Sequence, residues 1–157
     1  MALAYTSSAD KAAGFARLTD LPNATVVAPG AATMTLTAAN SGNLITIDTA
    51  TTTITLPPPI VGMSFTFVVT TTATTQKIVT DAATTFIVGG LSLVSATTST
   101  GAVTFNGTTH RSFTMNGTTA GGIVGSTFTL ACVSATQWAI FGCLQASGTA
   151  ALTPATS

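Results

Sequence analysis

The sequence predicts an all-β protein: an antiparallel β-sandwich, jelly-roll-like, preceded by an N-terminal arm. Three observations carry this. Beyond residue 30, short apolar runs recur with turn residues between them at roughly 8–12 position spacing, the rhythm of a sandwich or barrel. Helical periodicity is missing over that whole stretch. Threonine, which is β-branched and suits a pleated surface, occurs 36 times.

Residues 1–30 read as the arm and 31–157 as the sandwich domain. The arm holds four of the eight charged residues, the only tyrosine (Tyr5) and a helix-compatible run from Ser8 to Leu18. Ser8 can cap that run, and Phe15 and Leu18 fall on one face. Pro22 and the Pro29-Gly30 pair punctuate the exit.

The strands follow in order. Met34, Leu36 and Ala38 alternate with threonine; Leu44, Ile45 and Ile47 come next; then Thr52 to Leu56 alternates again. Pro57, Pro58 and Pro59 end that run in an extended linker. Met63 to Thr70 puts Met63, Phe65, Phe67 and Val69 on one face. Ile78-Val79, Phe86 to Val88 and Leu91 to Val94 are shorter strands, with Gly89-Gly90 as a turn or bulge between the last two. The threonine-rich stretches 70–75 and 96–100 are loops by composition. Then TFNGTTHRSF (104–113) is echoed by TMNGTTAGGI (114–123). Each Asn-Gly predicts a type I′ hairpin turn, so the pair predicts a meander and not a solenoid.

The last hairpin, about 124–134 and 137–146, turns near Ala135 and Thr136. Counting back from that turn sets Val133 against Trp138 and Cys132 against Ala139. Phe128, Leu130 and Cys132 then share a face with Ala139, Phe141 and Cys143. Trp138, Ile140 and Leu144 take the opposite face, which is either an inner face of a central hairpin or an oligomer interface, since an exposed strand face should be polar. The same register keeps Cys132 and Cys143 too far apart to bridge.

Composition excludes several functions. Charged residues make up 5% of the chain, against about 25% in an ordinary soluble domain. Four scattered bases and zero net charge build no phosphate-binding stripe, so no nucleic-acid partner is expected. No run of about 20 apolar residues exists, so no membrane helix is expected. Met1 to Ser8 does not read as a secretory leader.

Chemistry has little to work with. His110 is the only imidazole, which makes a catalytic triad or a zinc site implausible. Four aspartates, two of them in the arm, are thin material for a carboxylate pair or a calcium site. The run from Gly121 to Ser126 lacks the lysine of a phosphate-binding loop and precedes a strand. Asn23, Asn106 and Asn116 open N-x-Thr sequons that threonine abundance alone produces. Thr33-Met34-Thr35-Leu36-Thr37 lacks the regular repeats of a flat ice-binding array. No catalytic residue, metal or cofactor is assigned, and the chain is not expected to be an enzyme.

The run NGTTAGGIVGSTFTLACVSATQWAIFGCLQASGTAALTP (116–154), with ITLPPPIVGMSFTFVV (54–69), resembles small virion structural proteins of tailed phages, most of all head decoration (cement) proteins. The resemblance implies a subunit made in the host cytoplasm that binds the outer surface of the capsid. Its partners would be the major capsid protein and further copies of itself, as a trimer first and a dimer second. The implied alternative is a tail-fibre or appendage module that binds a host receptor. Within the arm, Tyr5, Phe15 and Leu18 are candidate apolar anchors for attachment, and Arg17 and Asp20 could fix register.

Overall fold

A computed structural model of the chain describes residues 26–27, 30–95, 97 and 101–156. The candidate attachment residues Tyr5, Phe15, Arg17, Leu18 and Asp20, and the run Ser8 to Leu18, lie outside the described residues. Eleven strands are described: β1 (Val26–Val27), β2 (Thr33–Thr35), β3 (Leu44–Ile47), β4 (Thr53–Thr55), β5 (Ser64–Val69), β6 (Gln76–Val79), β7 (Phe86–Ser95), β8 (Gly101–Asn106), β9 (Ser112–Met115), β10 (Thr127–Ser134) and β11 (Gln137–Ala146). One 3-10 turn, Ala38–Asn40, begins at Ala38, the last residue of the alternation that starts at Met34.

The strands form two packed sheets, so the all-β sandwich stands. The large sheet has seven strands in the order β1-β3-β5-β10-β11-β7-β8, and the small one has four, β2-β4-β6-β9. Strand β1 lies within the 1–30 segment read as the arm and pairs with β3.

The strand directions correct the antiparallel, jelly-roll-like expectation. Five of the nine pairings are parallel: β1 with β3, β3 with β5, β2 with β4, β4 with β6, and β7 with β11. From β1 to β7 the chain alternates between sheets, and β1, β3 and β5 in one sheet, like β2, β4 and β6 in the other, lie side by side as successive turns of a coil. Thr33, Thr53 and Lys77 stand side by side on successive turns. The turns differ in length, so the coil leaves no fixed period in the sequence. Parallel strands need a crossover connection, and here that crossover is a strand of the other sheet.

The C-terminal hairpin closes the fold. β10 pairs antiparallel with β5 on one side, and β11 pairs parallel with β7 on the other. It thus joins the N-terminal coil to the β7–β8 hairpin through the centre of the large sheet.

Alternation explains the core. In β5, Phe65, Phe67 and Val69 are buried while the residues between them are not. Ile54, Ile78 and Phe113 form one ladder row on the inner side of the small sheet. Phe113 crosses the layer to Phe128 and Phe105, with ring centroids 5.4 and 5.6 Å away. Phe128 stacks on Phe67 at 4.7 Å, and Phe65 meets Trp138 at 5.6 Å. Each such side chain contributes about 1.5–3 kcal/mol by leaving water.

Strand β7 runs unbroken through Gly89-Gly90, and its pairing with β8 keeps one register from Val88 to Leu93. The expected turn or bulge is absent. Gly89 serves close approach instead: a Cβ there would sit 2.5 Å from the Ile140 carbonyl oxygen.

Candidate functional site

The two Asn-Gly segments are corners between sheets and not hairpins. The first carries the chain from β8 to β9 and the second from β9 towards β10, so the expected meander does not form. Neither asparagine takes a positive φ, which a type I′ turn requires; only Gly107 and Gly117 do, at 71° and 72°. The local chemistry is the same in both copies. Asn106 Oδ1 accepts from the backbone N–H groups of Thr108, Thr109 and His110. Asn116 Oδ1 accepts from Thr118, Thr119 and Ala120. Each side-chain NH₂ donates to a threonine hydroxyl three residues on.

His110 and Arg111 are occupied in the same way. His110 Nδ1 accepts from the Asn106 N–H at 3.2 Å, and its ring meets Phe105 edge-on. Arg111 Nε donates to the Ala82 carbonyl and Nη1 to that of Thr156, tying a loop and the C-terminal segment to the start of β9. Among the described residues no group of three or more His, Cys, Asp or Glu is placed to hold a metal ion. No helix among them is long and apolar enough to cross a membrane.

The feature that stands out is the outer face of the large sheet. None of its seven strands contains a charged residue. Phe141 is 56% exposed near the middle of this face, and Val133 and Val94 are exposed with it. Phe141 stands opposite Thr129, which stands opposite Thr66, and those two hydroxyls lie 3.2 Å apart. The next row along is small: Ala139, Ala131 and Ser64. A phenylalanine ring beside that row projects from an otherwise low, neutral surface. Gly62 N–H donates to the Cys132 carbonyl, which brings the turn carrying exposed Ile60 and Val61 to the same end of β10 as Val133.

Register decides which residues form this face. Trp138, Ile140 and Leu144 are 0–2% exposed and point into the core beside Phe128, Leu130 and Cys132. Of the two roles read for them, inner hairpin face or oligomer interface, they occupy the inner face. The register counted from the turn holds for Ser134 and Gln137, then slips by one at an irregularity between Cys132 and Ser134, so Cys132 faces Trp138. That slip turns Phe141 outwards, where the sequence reading had it inside. Cys143 sits half-buried on the outer face and Cys132 in the core, and both are free thiols. Burial pushes the Cys132 thiol above its ordinary value.

The small sheet presents a different outer surface. Its rows carry Thr33, Thr53, Lys77 and Thr114, then Thr35, Thr55 and Val79, with Ser112 at the end of the second row buried under the C-terminal segment.

The chain matches no family model, no curated protein and no solved structure.

Proposed function

We propose that this chain is a structural virion protein, a decoration protein that binds the outer surface of a tailed-phage head and bridges major capsid subunits. The observation that carries the reading is the uncharged outer face of the large sheet with Phe141 and Val133 standing in water. Monomeric proteins rarely leave such apolar groups together without a partner for them. A neutral face also docks without stripping water from ions, the step that costs most when charges are buried.

The mechanism is additive burial. Each copy would cover an interface of standard size, on the order of 1,600 Å². Much of that gain is offset by the loss of free motion on docking. Repetition over a symmetric lattice turns a modest contact into a strong constraint on the whole shell. The arm, with Tyr5, Phe15, Arg17, Leu18 and Asp20, adds a second contact to the same capsid.

Co-sedimentation with undecorated heads tests this. The full chain should pellet with the heads at a stoichiometry on the order of hundreds of copies per particle, as a lattice of equivalent sites dictates. Phe141→Asp should keep the fold and lower affinity at least about tenfold, because it places a charge against a desolvated contact. Tens of copies on intact virions would place the chain in a tail fibre. Unchanged binding by Phe141→Asp would take the sheet face out of the contact, and unchanged binding by a chain lacking residues 1–20 would take the arm out of it. Failure of the full chain to pellet with heads would reject the decoration reading.

A further inference from the structure

We infer that the chain pairs with a second copy of itself through the free edge of β8, making one continuous sheet across a two-fold axis. The four sheet edges differ in how they are protected. At the far edge of the large sheet, β1 has two residues. At one edge of the small sheet, β2 has three. At the other, β9 has four and is covered by the C-terminal segment: Arg111 and Ser112 donate to the Ala155 carbonyl, and Ala155 donates back to Ser112. Strand β8 has six residues; the edge-facing N–H of Asn106 at its end is held by His110 Nδ1, and among the described residues no strand or segment covers the rest. It contains no charge and no proline, and its register with β7 is unbroken from Asn106 to Gly101. Among the described residues, the backbone of Ala102 to Phe105 bonds only to β7.

A bare edge, here the four residues Ala102 to Phe105, is a template for another strand, and natural proteins blunt such edges unless they are used. The occupant that fits is the same strand. The outward residues Ala102, Thr104 and Asn106 are neutral, so a like strand meets no repulsion. Antiparallel self-pairing about a two-fold closes after two copies and leaves no further β8 edge. Opposed residues in an antiparallel pair share a face, so the register must set a residue against its own equivalent. The edge-facing N–H of Asn106 is held by His110 Nδ1, so the register leaves it out: centring on Val103 opposes Ala102 to Thr104 on the outer face and Val103 to its own equivalent on the core face. The dimer joins two neutral outer faces side by side, so Phe141 of both copies looks the same way.

Sedimentation equilibrium of the full chain at micromolar concentration tests the pairing. The expected mass is twice 15.6 kDa. Thr104→Lys sets two ammonium groups on the same face, one on either side of the axis, and should return the mass to a single chain, with the near-ultraviolet signal of Trp138 kept. Thr114→Lys, on the outer face of the small sheet, should leave the dimer intact. Amide exchange of the unaltered chain gives a second reading that needs no variant to fold. Both alternating sets of β8 amides should be protected, and those of the outward set at Ala102 and Thr104 should lose protection on dilution to monomer. A monomer or a trimer would overturn the inference. So would a dimer unmoved by Thr104→Lys, or an outward set that exchanges freely. Phe141→Asp should leave the dimer unchanged, so failure of capsid binding and failure of edge pairing are told apart.

Discussion

Two asparagines ten residues apart do the same work at opposite ends of the sandwich, and their surroundings decide how much each matters. Both corners leave three successive backbone N–H groups without a strand partner, and one side-chain oxygen accepts from all three. At the first corner Thr108 and Thr109 are exposed, so water replaces a lost acceptor there. At the second only Thr118 is exposed; Thr119 is half-buried and Ala120 is 8% exposed, so water does not reach all three donors. Leaving a buried donor unpaired costs about 1–3 kcal/mol. Asn116→Ala should therefore lower the free energy of unfolding in urea by about 2 kcal/mol, and Asn106→Ala by less than about 1 kcal/mol. Asn116→Asp keeps the acceptor oxygens and should recover most of the loss. Gly117→Ala should be worse than Asn116→Ala: φ is 72°, and the added Cβ meets the Ala73 carbonyl oxygen at 2.6 Å. Equal losses at Asn106 and Asn116 would mean that the shared hydrogen-bond pattern, and not its burial, sets the cost.

The β10–β11 hairpin shows how far one irregularity reaches. Side chains alternate with period two, so a one-residue slip moves a whole set to the other face. The slip near Cys132 sends Trp138 into the core and Phe141 out of it. Truncating each to alanine reads this directly. Trp138→Ala removes a fully buried ring and should cost about 3–5 kcal/mol. Phe141→Ala should change stability by less than about 1 kcal/mol, since most of that ring already meets water. The reverse order would restore the register counted from the turn. Strand composition made most of this layer readable in advance. The alternation in 63–69 named its buried residues correctly, and the apolar content of 86–94 located β7. What alternation leaves open is the neighbour. A period of two says which side of a strand is apolar and nothing about which strand lies beside it, so the parallel coil of β1 to β6 left no mark. Asn-Gly was legible as a reversal for the same local reason in both cases, but whether the chain returns to its own sheet or crosses to the other depends on where the next apolar face must go. The exposed position of Phe141 was hidden because its only signal was an irregularity with no residue signature.

Charge is the property that ties the whole molecule together. Beyond residue 30 the formal charges are Asp48, Lys77, Asp81 and Arg111, and none belongs to a strand of the large sheet. Asp48 accepts from Gly30 N–H, and Arg111 is held by two carbonyls, so both are engaged with backbone. Contacts made by the large sheet, through its outer face or its β8 edge, therefore contain no ion pair for salt to screen. Screening shortens to about 3 Å at 1 M salt, and contacts that depend on exposed charges lose strength as that happens. Apolar and backbone contacts do not, and sulfate, being excluded from protein surface, strengthens apolar burial. Raising sodium chloride from about 0.05 M to about 1 M should leave both the self-association constant and the affinity for heads within about twofold. Sodium sulfate should tighten both. Isothermal titration across a salt series checks this. A fall of about tenfold or more in head affinity with chloride, with self-association constant, would shift the capsid contact from the sheet to the segment that carries Asp10, Lys11, Arg17 and Asp20. The neutral body would then act through β8 as the assembling part, and the charged N-terminal residues as the part that selects the shell.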